Sequence, residues 1–121
     1  MRLFALRGAN TVSENRREAI LAATDELMRQ LLERNSLTPE ALVSCIFTLT
    51  EDLDAEFPAV AARDMGLQHV PLLCAREIPV AGSLPQVIRV LVHYHADDEH
   101  QPVHVYLHGA RALRADLDAA Q

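Results

Sequence analysis

The chain has 121 residues, half of them apolar, and a formal net charge of −6 at pH 7. This length suits one domain with its own hydrophobic core, and the acidic charge repels phosphate backbones, so we expect no nucleic-acid partner. No apolar run is long enough to span a membrane, and Arg7 interrupts the apolar N-terminus too early for a signal peptide. We therefore expect a single cytoplasmic domain over residues 1–121.

The first predicted elements are a strand and a long helix. Residues Leu3 to Gly8 are typical of a short strand, and a helix is predicted from about Arg16 to Arg34. Apolar residues recur along that helix at the spacing of one buried face: Ile20, Ala23, Leu27 and Leu31. Asn15 is the predicted N-cap, with Glu18 in the position of a capping box, and Asn35 is the predicted left-handed residue that ends the helix.

The rest of the chain mixes short helices with further predicted strands. Thr38-Pro39-Glu40 begins a helical turn, and a short helix begins at Pro58 and ends at Gly66. The strands are predicted at 43–49, 70–78, 87–94 and 103–107. Because strands and helices do not alternate strictly, the pattern indicates an α+β protein with a mixed five-stranded sheet and one long helix. One helix covers one face only, so we expect self-association to cover the other.

Three charged residues stand within apolar strands or at their ends: Arg7, Glu77 and Arg89. Charged side chains rarely lie in a sheet unless they are paired or bind a ligand. One interpretation is an internal Arg–Glu ion pair or exposure to solvent; the other is a site for an anion. The chain contains eleven arginines and no lysine. A permanently charged side chain that binds a carboxylate must therefore be a guanidinium, which can do so through two parallel hydrogen bonds.

Tyrosine and histidine residues give weaker signals. Tyr106 shares its predicted strand face with His104 and His108, and it is either a site residue or a core-edge residue whose hydroxyl meets water. His93 and His95 lie on one strand face, as in a metal pair. No matched carboxylate or thiol motif accompanies them, so we expect no metal.

Sequence motifs for covalent or cofactor chemistry are absent. Cys45 and Cys74 lie in apolar segments and are interpreted as reduced thiols, and no histidine is placed to activate Cys74 as a nucleophile. The chain has no glycine-rich phosphate loop, no Gly-x-Ser-x-Gly elbow and no zinc-type spacing. Hydride, phosphoryl and acyl transfer therefore lack their signatures, and we expect no cofactor.

A series of short segments, in order along nearly the whole chain, resembles the AroH-class chorismate mutases. The most specific are Cys74–Glu77, Gly82–Leu84 with Ile88–Val90, and His104–Leu107 followed by Leu113–Leu117. Further segments agree at the spacing of that family: Leu6–Ala9, Thr11–Val12, Asp52–Leu53, Phe57–Ala59, Ala61–Arg63 and Val70–Pro71. Each segment alone is a weak signal, but all of them together identify the chain as a member of this family by resemblance.

The resemblance implies an isomerase that converts chorismate to prephenate by a [3,3] (Claisen) rearrangement, in phenylalanine and tyrosine biosynthesis. It also implies homotrimers of a mixed-sheet subunit, arranged as a pseudo-α/β barrel with active sites between neighbouring subunits. Such enzymes use no nucleophile, metal or cofactor; they position the substrate and stabilise charge at the breaking ether bond. The expected partners are chorismate, prephenate and further copies of the chain. We expect a mobile C-terminal tail at about 112–121.

The resemblance also assigns roles to the charged strand residues. It implies that Arg89 donates hydrogen bonds to the ether oxygen and to the side-chain carboxylate of chorismate. It implies that Arg7 and the Tyr106 hydroxyl bind a carboxylate, and that Glu77 accepts a hydrogen bond from the ring hydroxyl. The other substrate-binding residues that it implies form the apolar wall, the surroundings of Glu77 and the mouth of the site: Phe57, Ala59, Leu72, Leu73, Cys74, Arg63 and Arg114.

The sequence departs from the family pattern at some of these positions. Val60 stands where some relatives have a lysine, and Leu73 stands where some members have a hydroxyl-bearing residue, so a supporting charge and a hydrogen bond near the ring are expected to be missing. Cys74 and Glu77 are three residues apart and would face opposite sides of an ideal strand. We therefore expect Cys74 to contribute mainly its backbone.

Two other functions fit parts of the pattern. Trimeric enamine/imine deaminases have a similar subunit shape and also bind carboxylates with arginine between subunits, but their C-terminal signature is not seen in this sequence. A non-catalytic trimeric module that binds a carboxylate for regulation would keep Arg7 and Arg89 but would not need Glu77. Because all three residues are present, a chorismate mutase is the preferred hypothesis.

Overall fold

In the computed structural model, the described residues are 1–114. Within them the chain forms five strands and two α-helices, followed by a helical segment at 111–114: β1 (Arg2–Thr11), α1 (Arg17–Arg34), β2 (Leu42–Leu49), α2 (Ala59–Asp64), β3 (Leu72–Arg76), β4 (Val87–Ala96) and β5 (Val105–Tyr106). The predicted α+β class is confirmed, with a mixed five-stranded sheet and α1 as its long helix. Over residues 1–114, no helix is long and apolar enough to cross a membrane.

The sheet is built around two long strands. The order across the sheet is β3-β2-β4-β1-β5, with β4 antiparallel to both β1 and β2 and the short edge strands added in parallel. β1 pairs with β4 along its whole length, from Arg2 opposite Ala96 to Thr11 opposite Val87. The β-branched residues of β4 favour this extended pairing. This long ladder fixes the register of every side chain on the two central strands.

The hydrophobic core lies between α1 and one face of the sheet. The predicted apolar stripe of α1 is buried, which confirms the helical spacing: Ile20, Ala23, Leu27 and Leu31. Alternate residues of the central strands, among them Leu6, Phe47 and Val92, are almost fully buried in the same core. Gly8 lets the helix approach β1, because a Cβ atom there would lie 2.9 Å from Cδ1 of Leu31, closer than van der Waals contact.

The opposite face of the sheet, here called the open face, is not covered by α1 or α2. It carries the side chains that alternate with the buried ones: Leu3, Ala5 and Arg7 of β1, Ser44, Ile46 and Thr48 of β2, Leu73 of β3, and Arg89, Leu91 and His93 of β4. Leu3 and Leu73 are exposed large apolar residues in the single chain. The candidate site lies on this face.

The ends of the strands differ from the predicted ends. β1 extends beyond the predicted 3–8 because β4 pairs with all of it. β3 covers only 72–76 of the predicted 70–78. β5 has two residues instead of five, because the backbone N–H and C=O of Val103 bond to the side chain of Asn35 rather than to a strand.

The prediction that Asn15 caps α1 is wrong. The cap position is Arg16, which makes no side-chain capping bond. Oδ1 of Asn15 instead accepts hydrogen bonds from the backbone N–H groups of Asp54 (3.0 Å) and Ala55 (3.1 Å), and its Nδ2 donates to Oδ1 of Asp54 at 2.7 Å. The side chain thus joins the start of α1 to the loop after β2. A local capping pattern carries no information about this long-range contact.

The prediction that Asn35 is a left-handed helix stop is also wrong. Its φ is −107°, and the residue with positive φ is Ser36, at 54°. Asn35 is buried, and its Nδ2 donates to the carbonyl oxygens of Leu31 and Val103, both at 2.9 Å. Its Oδ1 accepts the N–H of Val103 at 2.8 Å. The side chain of Asn35 therefore provides hydrogen-bond partners for backbone groups at the end of α1 and in the segment that leads to β5.

The C-terminal segment folds back onto the sheet. Residues 111–114 are helical, and Leu113 packs against a small buried cluster that includes Ala9. Of the mobile tail predicted at about 112–121, the first residues are thus helical, and residues 115–121 lie outside the described part of the chain.

Replacing Asn35 tests its role as a clamp. We expect Asn35→Gly to lower the free energy of unfolding by about 1–3 kcal/mol, because the N–H and C=O of Val103 lose their partner. Ser36→Gly is the matched control: its positive φ suits glycine, so no such loss is expected. Denaturant unfolding at one protein concentration measures both variants. Unchanged stability of Asn35→Gly would contradict the clamp and favour a simple helix stop.

Candidate active site

A cavity of about 800 Å³ opens on the open face. Residues of β1, β2, β4 and β5 line it, together with the loop 82–84 and the helical residues 112–113. Three predicted site residues, Arg7, Arg89 and Tyr106, are in its wall. A cavity of this volume accommodates a small molecule.

Cross-strand pairing explains why these residues meet. Arg89 lies opposite Thr48 on one side and opposite Ala9 on the other, and Ala9 lies opposite Tyr106 on β5. Arg7 precedes Ala9 by two residues, so its side chain points to the same face of the sheet. Arg7 is thus the diagonal neighbour of Arg89, and the Cα atoms of such neighbours are roughly 7–8 Å apart. The two long guanidinium side chains can therefore reach one small anionic ligand.

Arg89 forms a partly buried ion pair with Glu77. Nε of Arg89 lies 2.9 Å from Oε2 of Glu77, and the two side chains are 44% and 15% exposed. The internal Arg–Glu pair, one of the two interpretations of the sequence, is thus present, and Arg89 lines the cavity as well. A guanidinium has five N–H donors, so a contact through Nε leaves other donors for a ligand.

Thr48 contacts the same carboxylate. Its hydroxyl donates to Oε2 of Glu77 at 2.8 Å, and the backbone N–H of Glu77 donates to the carbonyl of Leu49 at 2.9 Å. Thr48 lines the main cavity, whereas Glu77 lines a smaller adjacent pocket of about 250 Å³. Glu77 therefore lies beside Arg89 at the border between the two spaces.

His104 supports Arg7 from the segment before β5. The backbone N–H of Arg7 donates to Nδ1 of His104 at 3.0 Å. This contact requires an unprotonated Nδ1, so the ring proton sits on Nε2. Burial lowers the pKa of His104, and the positive charges of Arg7 and Arg114 lower it further. When the His104 imidazole is neutral, the positive charge at this end of the cavity comes from Arg7 and Arg114 alone among these three residues.

The strand face predicted to hold Tyr106 with His104 and His108 does not exist. β5 contains only Val105 and Tyr106, and the alternation of side chains holds only within a continuous strand. His108 instead makes an exposed contact of 3.0 Å with Glu26 on α1. Tyr106 itself lines the cavity.

The residues predicted on β3 divide between the two faces of the sheet. Leu72 and Cys74 pack against the main core, whereas Leu73 is 61% exposed on the open face. Cys74 and Glu77 therefore lie on opposite sides, as the spacing predicted. Since the Cys74 side chain packs against the core, its predicted contact with substrate would have to come through the backbone.

The residues predicted around α2 do not meet the cavity of their own chain. Ala59, the first residue of α2, is 2% exposed and packs in the core, Phe57 is 66% exposed, and Arg63 is exposed. Within the described residues of one chain, none of the three lines the cavity.

Arg114, in the C-terminal helical segment, is close enough to His104 to lower the pKa of its imidazole, so Arg114 lies near the end of the cavity that Arg7 lines.

Sequence reasoning missed several residues of the cavity wall. Thr48 is a polar residue between the apolar Phe47 and Leu49, and this alternation is the sequence signal that could have indicated it. Ile46 and Leu91 have the sequence pattern of ordinary strand residues, and only their register with Arg7 places them in the site.

Other reactive side chains lie elsewhere. Burial raises the pKa of the Cys45 thiol to about 12, so it stays protonated in the core. Nδ1 of His93 lies 3.2 Å from the Ser44 hydroxyl. Across residues 1–114, no group of three or more histidine, cysteine, aspartate or glutamate side chains is arranged to hold a metal ion.

The fold and the cavity together define a class of protein. Two arginines and a tyrosine line one small cavity, which would suit a small organic anion because guanidinium groups can bind carboxylates bidentately. The cavity lies on the face of a mixed five-stranded sheet that α1 and α2 do not cover.

Comparison with known proteins identifies the family. The family model for chorismate mutase type I matches residues 3–117. Chorismate mutase AroH of Thermus thermophilus is 53% identical over 118 residues, which cover 96% of this chain and 97% of that protein. Chorismate mutase AroH of Bacillus subtilis (strain 168) is 40% identical over 119 residues, which cover 97% and 94%. A solved chorismate mutase from Clostridium thermocellum has a TM-score of 0.87 and 46% identity, covering 90% of this chain and 98% of its own.

The chain belongs to the chorismate mutase type I family. It is therefore an isomerase that converts chorismate to prephenate in aromatic amino acid biosynthesis. The family predicted from the short sequence segments is confirmed. The deaminase and regulatory-module hypotheses receive no support from these relatives.

The lowered pKa of His104 predicts how stability depends on pH. The folded protein binds the imidazole proton less readily than the unfolded chain does. The contribution of His104 to the free energy of unfolding is therefore constant at pH values above the pKa of the imidazole in the unfolded chain, which is about 6.5. The protein loses stability as the pH falls from that value towards the lower pKa of His104 in the folded protein. We expect His104→Gln to lose less stability than the wild type between pH 7.5 and 5.5.

Denaturant unfolding at each pH and at one protein concentration measures this difference, with His95→Gln as a control for the removal of an exposed histidine. Equal pH slopes for the wild type and His104→Gln would show that His104 does not contribute.

Proposed function

We propose that the cavity holds chorismate between Arg7 and Arg89 and that the chain catalyses the rearrangement by positioning and electrostatic stabilisation alone. The substrate has two carboxylates, an enolpyruvyl ether and a ring hydroxyl. As its ether C–O bond breaks, a C–C bond forms within the same molecule, so the reaction is an isomerisation that needs no second reactant. The observation that carries this proposal is the pair of arginines in the wall of one cavity of about 800 Å³.

Arg89 is the proposed group at the breaking bond. Negative charge grows on the ether oxygen in the transition state, so a guanidinium donor there binds the transition state more strongly than the substrate. One such donor contributes roughly 3–4 kcal/mol. The ion pair with Glu77 and the place of Arg89 in the central strand β4 support this role, because they hold the group before substrate arrives.

Arg7 and Tyr106 are proposed to bind a carboxylate of the substrate. Both line the cavity, from neighbouring strands. The bond from the Arg7 backbone to His104 supports the position of this part of β1. Arg114 and, from the neighbouring subunit, Arg63 would add positive charge at the mouth and attract the dianion.

Glu77 is proposed to accept a hydrogen bond from the ring hydroxyl. A carboxylate beside a dianionic substrate would repel it, and the ion pair with Arg89 offsets this repulsion. Glu77 therefore contributes recognition of the hydroxyl without excluding the carboxylates. Cys74, on the same edge strand segment, would lie near this end of the site.

We also propose that the protein is a homotrimer with its sites between subunits. Phe57 and Leu73 are large, exposed apolar side chains that do not line the cavity of their own chain. A neighbouring copy that packed against these two side chains would bury them, and they would then lie at its substrate together with the segments of Ala59 and Leu72. The two free cysteines support a cytoplasmic location.

The test of the catalytic roles follows chorismate by absorbance, without added metal or cofactor and with a chelator present. We expect the wild type to turn over under these conditions. We expect Arg89→Lys to keep the fold but to lose about a hundredfold or more in kcat/KM, because a point ammonium cannot serve two acceptors as a guanidinium fork does.

Arg29→Lys is the matched control, on the exposed face of α1, and it should keep wild-type kinetics. Near-normal turnover by Arg89→Lys would reject the role of Arg89. A requirement for metal in the wild type would reject the proposed mechanism.

The trimer is tested by light scattering in solution. We expect a mass of three chains, and we expect Leu73→Glu to shift it towards monomer and to lower activity, because a charge would be placed in a buried interface. Glu40→Gln, an exposed charge change at the turn before β2, is the control that should leave the mass unchanged. A stable and fully active monomer would contradict sites shared between subunits.

A further inference from the structure

We infer that Thr48 is a positioning residue for the reaction: it fixes the Glu77 carboxylate so that one oxygen serves Arg89 and the other serves the substrate. This inference rests on the proposed function, because it concerns how the proposed catalytic groups are held. Thr48 is in the wall of the cavity, on the same cross-strand row as Arg89.

The two polar contacts of the Glu77 carboxylate converge on one oxygen. Oε2 accepts the Thr48 hydroxyl at 2.8 Å and lies 2.9 Å from Nε of Arg89. Among residues 1–114, both of these contacts are made to Oε2 rather than shared between the two oxygens. Oε1 is therefore the oxygen that remains to accept the ring hydroxyl.

The position of Thr48 makes it a firm anchor. It lies in β2 with Arg89 opposite on β4 and Ala75 opposite on β3, so strands flank it on both sides. Its side chain is β-branched and has restricted χ1 freedom. The backbone of Glu77 is fixed to the same strand by its N–H bond to Leu49. Glu77 is thus tied to β2 at two points, through its carboxylate and through its backbone N–H.

The hydroxyl also protects the donors of Arg89. A carboxylate that is free to rotate can pair with a guanidinium through both oxygens, which would occupy two of its N–H groups. By donating to Oε2, Thr48 favours the rotamer in which Glu77 meets Arg89 through Nε. The remaining donors of Arg89 then stay available for the ether oxygen and the carboxylate of chorismate.

The test compares Thr48→Val, which keeps the shape but loses the hydroxyl, with Thr48→Ser, which keeps it. We expect Thr48→Val to lower kcat/KM about tenfold, the effect of one lost hydrogen bond to a charged group, and Thr48→Ser to restore most of the activity. Ser44→Ala is the control: it removes a hydroxyl from the same face of β2, where the partner is His93 rather than Glu77. It should keep wild-type kinetics.

A double-mutant cycle separates positioning from packing. If Thr48 acts through the carboxylate, Thr48→Val should cause no further loss in a Glu77→Ala background. The same tenfold loss in both backgrounds would assign Thr48 to packing and overturn the inference. Wild-type kinetics of Thr48→Val alone would overturn it as well, while leaving the proposed function standing. An inactive wild type would overturn the proposed function itself.

Discussion

A permanently charged guanidinium in the central strand of a β-sheet must have its charge compensated, and the structure of the site follows from this constraint. Arg89 meets Glu77 through Nε, and Thr48 holds the same carboxylate oxygen. The pairing keeps the arginine in place without using all of its donors. In the proposed mechanism, this carboxylate and this hydroxyl support a group that must be in place before substrate binds.

The hydrophobic core and the candidate site lie on opposite faces of the sheet. α1 covers one face with a continuous apolar core, and Gly8 allows close packing of the helix on β1. The other face combines exposed apolar residues such as Leu73 with Arg7 and Arg89. Charged groups can be placed there without disturbing the core, because strand alternation separates the faces. The same division leaves an apolar surface that a second subunit would cover.

The sequence predicted most reliably what depends on local periodicity. The stripe of α1 from Ile20 to Leu31 and the α+β class follow from spacing and element order. Asn15 and Asn35 fit local capping patterns equally well, yet both side chains bond to residues far along the chain. Likewise β5 is shorter than its pattern because Asn35 takes the hydrogen bonds of Val103. Local patterns fail where a distant partner competes for the same polar group.

By itself, the sequence determined the family, the charged and polar residue types proposed for the site, and that Cys74 and Glu77 would lie on opposite faces of the sheet. Only the tertiary structure decided which of these residues meet. Arg7, Arg89 and Tyr106 line one cavity because the register of three strands places them in adjacent rows. Thr48 joins them for the same reason. Register is a property of paired strands, and no single strand contains the information that sets it.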